Sequence, residues 1–228
     1  MLNRDPFLLL TACFTIAVLI IAYAADRWAL AVYALSFWHF PVYILAFHCR
    51  TISHERFIQD AVALKTISLV VFALVLLSAL PNALAIIVMA LGFTFNISAA
   101  RALGTERTYY GYELADLPPK RVTSFPYSLT AHPMLIGNML AYGGTLLDGT
   151  FRADWWPLGI LHVILNLLII VSEAYGKENQ ANGVIATSAG LIMGAALFLV
   201  GFWDVWPYAL SVLVIGTSFA IVILRRYA

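Results

Sequence analysis

The chain has 228 residues, of which 62% are hydrophobic and only 11% charged, far more apolar than a soluble domain of this length carries. Its formal net charge of +1 provides no basic face for phosphate backbones, which excludes a nucleic-acid-binding protein. The expected fold class is therefore all-α, a polytopic integral membrane helix bundle, because helices satisfy their own backbone polar groups in hydrocarbon.

A helix needs about 20 apolar residues to span that hydrocarbon. In chain order the predicted segments are 7–25, 28–48, 61–80, 83–103, 133–147, 157–175, 184–202 and 206–224, about eight in all, separated by charged or Pro- and Gly-containing breaks. Ala22-Tyr23-Ala24 has the form of a signal-peptidase site, but the apolar stretch before it is long enough to be a retained helix. The fifth segment is short and Gly-rich. Gly137, Gly143 and Gly144 there permit close helix packing, or the segment is a re-entrant hairpin half that fails to cross.

Charge favours a full crossing. With a cytoplasmic N-terminus and eight crossings, Arg4, Arg50, Arg56, Lys65, Arg101, Arg107, Lys120, Arg121, Lys177, Arg225 and Arg226 fall on the cytoplasmic side, and only Arg27 and Arg152 fall outside. That is eleven of the thirteen Lys and Arg residues, so a multi-pass protein with both termini cytoplasmic is expected. The expected organisation is a pair of N-terminal transmembrane helices (1–60), a membrane core (61–182) with a cytoplasmic loop at 104–131, and a C-terminal transmembrane helix pair (183–228).

Scattered polar residues point mostly to packing. Cys13 and Cys49 have no CxxC spacing, so they are expected to pack in the membrane. His39 and His48 are nine residues apart and do not align on a helix face; no metal site is expected. His162 and Asn166, four apart, share a face of the sixth segment and are expected to hydrogen-bond between helices. Asp148 and Asp204 sit at outer ends and are expected to face water. Glu173 is more telling, since a carboxylate near the end of an apolar helix is costly and is normally paired or water-facing. Lys177, four residues on, offers a simple helix-surface ion pair as the alternative to a binding role.

Loop 104–131 is amphipathic. It carries Glu106, Arg107, Glu113, Asp116, Lys120 and Arg121 with Tyr109, Tyr110, Tyr112 and Tyr127, a composition suited to the headgroup layer. Pro118 and Pro119 stiffen it, while Pro126 and Pro133 bias Phe125 and His132 away from helical geometry. Arg121 and Tyr127 are either interfacial anchors or contacts to a lipid headgroup.

Within this frame lie linked motifs. Arg121-Val-Thr-Ser-Phe-Pro-Tyr127 is followed by His132-Pro-Met-Leu-Ile-Gly137; Ala90-Leu-Gly92 and Ala102-Leu-Gly104 precede them, and Ser172-Glu173 and Glu178 follow. From about residue 90 to 180 the chain resembles the phosphatidylethanolamine N-methyltransferases, within the wider group of membrane methyltransferases that includes isoprenylcysteine carboxyl methyltransferase. The segments are similar to that family's R-V-T-x-F-P-[FY], [HN]-P-M-x-x-G, G-x-G, A-L-G and E-E elements. Ala90 stands where the family has the first Gly of G-x-G, and Ser172 where it has the first Glu of E-E.

The resemblance implies a methyltransferase-like core that uses S-adenosylmethionine as methyl donor. It places Gly92, His132, Pro133, Gly137, Ser172, Glu173 and Glu178 at the cofactor and Arg121 and Tyr127 at the substrate, expected to be the amine of phosphatidylethanolamine or its methylated derivatives in the bilayer. An isoprenylcysteine carboxylate or a thiol is the alternative acceptor. Glu113, Asp116, His132 and Tyr127 are the candidate proton acceptors. Ser172 hydrogen-bonds but adds no charge, so the resemblance implies either weaker cofactor affinity with Glu173 as the single acid at the cofactor amine, or compensation by another acid such as Glu178. A non-catalytic membrane scaffold or small-solute transporter that kept such a core is the alternative function.

Overall fold

The computed structural model describes residues 6–24, 26–40, 53–118 and 120–176. Their regular elements are helical: α1 (Pro6–Ala24), α2 (Trp28–Phe37), α3 (His54–Ala79), α4 (Ala83–Leu103), α5 (Thr105–Thr108), α6 (Gly111–Leu114), α7 (Pro133–Gly144) and α8 (Gly149–Gly176), with a 3-10 turn at Thr145–Leu147. The expected all-α class is observed among the described residues, and α3 and α4 are long and apolar enough to cross a membrane. Segments 184–202 and 206–224, with His48, Cys49, Glu178 and Asp204, lie outside the described residues.

The chain divides into two compact units that meet in sequence between Val75 and Leu76. In the first, α1 and α2 are joined by a tight reversal in which Asp26 takes φ 51°, a left-handed conformation that a short polar side chain tolerates. The rings of Tyr23 and Trp28 meet edge-on across this reversal, 6.4 Å apart. Ser68 Oγ in α3 donates to the Ser36 carbonyl at 2.7 Å, which satisfies a buried hydroxyl. Helix α3 begins at His54, seven residues before the predicted apolar segment. Its polar first turns are helical because they lack Gly and Pro, bury Phe57 and Ala61, and pair Arg56 with Asp60 at 3.8 Å one turn on.

The second unit holds α4 to α8. Asn82 caps α4, its Oδ1 accepting from the Ala85 N–H at 2.9 Å. Gly104 ends the helix at φ +90°, a conformation that only glycine adopts without strain, which is the backbone reason for the Gly in Ala102-Leu-Gly104. Along α4, Ala85, Met89, Gly92 and Ala99 are buried, whereas Leu84, Ile86, Ile87, Leu91 and Ile97 are exposed. An apolar exposed stripe opposite a small-residue stripe is the pattern of a helix that faces lipid on one side and protein on the other.

Small residues Gly137, Ala141 and Gly144 recur on α7 at i, i+4 and i+7, and they meet the buried stripe of α4. A Cβ built on Gly92 would lie 2.6 Å from the Gly137 carbonyl oxygen, and one on Gly137 would lie 2.7 Å from that of Gly92. Backbone therefore fills the space that side chains would need. Helix α7 spans 12 residues, about 18 Å at the helical rise, short of a hydrocarbon core of about 30 Å. The predicted shortness of the fifth segment is thus real.

Asp148, expected to face water, is instead buried between α4 and α8. Its Oδ1 accepts from the Phe151 N–H at 2.8 Å and its Oδ2 from the Asn82 N–H at 3.0 Å. One carboxylate thus joins the starts of two helices. Those backbone donors, Phe151 first, hold its carboxyl below the usual carboxylate range. The stabilisation is present above the unfolded value near 4 and is lost as pH falls through the lower folded value. Asp148→Ala is expected to lower the Tm in detergent by about 3 °C or more at pH 7. The deficit should shrink as the pH is taken below about 4; an unchanged Tm at pH 7 would remove the staple.

Helix α8 starts eight residues before the predicted 157 and is interrupted at Trp155 (φ −130°, ψ 15°). Pro157 causes the break, because its ring cannot donate to the carbonyl four residues back and crowds it.

Candidate functional site at the His132 end of the second unit

Three contacts set the register of α7 against α8. Thr145 Oγ1 lies 3.0 Å from the Cβ position of Gly159. The Tyr142 ring stacks on His162 at 3.8 Å and 7°, and Asn138 Nδ2 donates to Asn166 Oδ1 at 3.1 Å. Three or four residues back along α7 correspond to three or four forward along α8. The helices are antiparallel, and continuing the step brings His132 level with positions 172 and 173.

Position 173 lies seven residues beyond Asn166, two turns along the same helical face. The α4 register agrees: Val88 meets Gly144, Gly92 meets Gly137 and Ala141, and Asn96 meets Met134 and Asn138. The last turn of α4, near Ala100, is therefore also at the His132 level. Residues forty positions apart in sequence converge on one end of the unit.

Why the chain turns at His132 is clear locally. His132 is half-buried and extended enough (φ −123°) to serve as the N-cap, and Pro133 occupies the first helical position, where its missing N–H costs nothing. The first bond of the helix runs from Ile136 N–H to the His132 carbonyl at 3.0 Å. The His132 side chain makes no cap hydrogen bond to this end. The Met134 and Leu135 N–H groups are thus first-turn donors at the positive end of the helix dipole.

The preceding loop folds back on α4. Phe125 sets its ring edge-on to Phe95 at 5.7 Å and 71°, and Pro126, after a cis peptide bond, is buried. Tyr127 is half-buried with its phenolic oxygen sheltered, whereas Lys120 and Arg121 are exposed. Asp116 is exposed at φ 50°.

The structure therefore brings Gly92 against Gly137, and separately sets the last turn of α4 near Ala100, the His132–Pro133 turn and positions 172 and 173 at one level, about two turns along α4 from Gly92. Tyr127 lies five residues before His132 in the same ordered turn. Arg121 and Asp116 stand on the exposed part of the loop, Glu113 lies in α6, and Glu178 is outside the described residues. The departure at Ala90 has a simple steric account, because residue 90 is exposed and a methyl group meets no helix there, while Gly92 is buried against α7.

Asn166 hydrogen-bonds between helices as expected, its Oδ1 accepting from Asn138 Nδ2 of α7 at 3.1 Å, whereas the His162 carbonyl accepts from Asn166 Nδ2 at 2.7 Å within α8 and the His162 ring meets α7 by stacking on Tyr142. Sequence reasoning missed Asn96 and Asn138. Their signal was present: each is an amide within an apolar segment, where an uncompensated polar group is costly.

A family model described as phospholipid methyltransferase matches residues 80–177. That span runs from just before α4 to the end of α8 and contains every helix of the convergence just described. It agrees with the family that the motifs resemble. No curated protein and no solved structure matches the chain.

Proposed function

We propose that the protein transfers a methyl group from S-adenosylmethionine to the amine of a membrane phospholipid, phosphatidylethanolamine or its partly methylated forms. The observation that carries this reading is the convergence of the His132–Pro133 turn and position 173 at one end of the matched region, beside the N-terminal start of α7.

The chemistry of those groups suits the donor. S-adenosylmethionine, when bound, supplies an electrophilic methyl on a sulfonium, together with a carboxylate and an ammonium that need opposite partners. The first-turn N–H groups of α7 suit the carboxylate, and Glu173 suits the ammonium. Ser172 adds a hydrogen-bonding hydroxyl without charge. Gly92 and Gly137 contribute by letting α4 and α7 approach, since their Cβ directions are already filled by backbone.

The acceptor amine must be neutral to attack. It loses a proton to the protein, its lone pair forms the new N–C bond, and the S–C bond breaks with its electrons remaining on sulfur, giving S-adenosylhomocysteine. Among the four candidate acceptors, His132 is half-buried at the convergence and imidazole is the commonest proton carrier in such steps. We assign it that role, with Tyr127, five residues earlier in the chain, as the second candidate. Arg121 and Tyr127, on a loop at the headgroup layer, face the lipid phosphate in this reading. The topology that suits it puts loop 104–131 on the cytoplasmic side, where the donor is soluble, with the lipid entering laterally from the bilayer.

Purified protein given labelled S-adenosylmethionine and a panel of lipids is expected to label the mono-, di- or trimethylated products of phosphatidylethanolamine. Donor binding without label in any phospholipid would shift the acceptor to an isoprenylcysteine carboxylate or a thiol. No donor binding by folded protein would favour a scaffold or transporter, the reading that the Ser172 departure motivates.

A further inference from the structure

A line of three buried or half-buried amides crosses the second unit. Asn96 Nδ2 in α4 donates both to the Met134 carbonyl at 2.9 Å and to Asn138 Oδ1 at 3.0 Å. Asn138 Nδ2 in α7 donates to Asn166 Oδ1 at 3.1 Å, and Asn166 Nδ2 in α8 donates to the His162 carbonyl at 2.7 Å. The bonds between helices all point the same way, from α4 through α7 to α8, and the last one closes within α8. Asn138 and Asn166 are 8% and 2% exposed, so the α7–α8 link of the chain is shielded from bulk water, while Asn96 is half-buried.

Adhesion alone does not require this chain. The contact of Gly92 with Gly137 and Ala141, and of Gly144 with Val88, already closes α4 on α7 over two turns. Interhelical hydrogen bonds in hydrocarbon add little net stability, because the separated helices find other partners. What a small-residue seam lacks is a key along its axis, since smooth grooves slide at small cost. A directional amide chain supplies that key, as a buried polar residue does in coiled coils.

The consequences fall on the site. The Met134 carbonyl that Asn96 holds is two residues from His132, and Asn166 is two turns from position 173. Slippage of α7 against α8 by one residue would displace these groups by about 1.5 Å, and displacements of about 1 Å are enough to impair catalysis that depends on alignment.

We propose that Asn96, Asn138 and Asn166 are positioning residues that lock the longitudinal register of α4, α7 and α8, keeping the His132–Pro133 turn level with position 173. The role assigned to that level rests on the methyl-transfer reading above; the lock itself does not.

The test is Asn138→Leu with Asn166→Leu, which removes the amide links from Asn96 to Asn138 and from α7 to α8, keeps the side-chain branching with a modest gain in volume, and leaves the Asn96–Met134 bond and the glycine seam intact. The paired variant is expected to fold with a Tm within a few degrees of the unmodified protein. Its S-adenosylmethionine Kd should rise at least tenfold and its kcat fall at least tenfold, with the lipid KM changed less than threefold. A readout free of ligand accompanies these. Spin labels at Leu129 and Leu167, 70% and 50% exposed, in a background with Cys13 and Cys49 replaced, should give a narrow distance distribution that broadens or shifts in the variant.

An unchanged distribution in folded variant protein overturns the lock, whatever happens to activity. Broadening with unchanged donor affinity and kcat overturns its link to the site. Absence of donor binding by the unmodified protein overturns the methyl-transfer reading while leaving the distance result to judge the lock. If the paired leucines prevent folding, Asn166→Ser replaces them, with the same direction of broadening expected and no change in the distribution counting against the lock.

Discussion

Glu173→Gln is expected to weaken S-adenosylmethionine binding by about 10- to 100-fold without unfolding the protein. The substitution keeps shape and removes charge, so it isolates the attraction between a carboxylate and the donor ammonium, and charge-assisted hydrogen bonds are worth about 1.5–3 kcal/mol. In the family pattern a second acid shares this task, but residue 172 is serine here. In the donor-site reading Glu173 is then the one acid of the 172–173 pair, and unless Glu178 compensates the loss should be steeper than where two acids stand. Ser172→Glu should move affinity the opposite way. Isothermal titration of the two variants checks both directions, and unchanged affinity in Glu173→Gln would take that residue out of the donor site.

Gly92→Val should be the most damaging single change in the second unit. A Cβ at 92 meets the Gly137 carbonyl oxygen at 2.6 Å and the Ala141 Cα at 2.8 Å, and these are backbone atoms that no rotamer change can move aside. The helices must separate, which opens the seam along its length and tilts the His132 turn away from α8. Overpacking of this kind costs about 1–3 kcal/mol for small insertions, and a branched side chain against backbone belongs at or beyond the upper end. Gly92→Ala should show the same loss in milder form. Ala90→Val, two residues away on the exposed face, should leave the Tm unchanged. Melting curves of the three variants in one detergent test the seam, and a Gly92→Val protein as stable as Ala90→Val would refute it.

Several features of the site were readable from residue order alone, for identifiable reasons. Pro133 after His132 marks a helix start because proline tolerates only the first turn. Gly104 marks a helix end because a left-handed backbone excludes most other residues. The Gly-rich fifth segment announces a short, closely packed helix. Asp148 misled, since a carboxylate at the end of an apolar segment looks like a water-facing group. It proved to be the joint acceptor for two helix starts, one of them 66 residues away in sequence. The early start of α3 was hidden as well, because Arg56 and Asp60 lower hydropathy without lowering helicity.

The division between the two levels follows from range. Composition and local pattern decided what depends on neighbours along the chain: an apolar, helical protein, helix ends marked by Pro133 and Gly104, and a motif set over about residues 90–180 that resembles a membrane methyltransferase family, where the phospholipid methyltransferase model matches residues 80–177. Which helices meet, and at what height, depends on contacts between residues far apart in sequence. Only the tertiary structure decided that Gly92 faces Gly137, that Asn96, Asn138 and Asn166 form one directed chain, and that His132 stands level with position 173. A hydropathy pattern reports how apolar a helix is and which face is buried. It carries no term for the axial offset between two helices, and that offset is what brings the motif residues to one place.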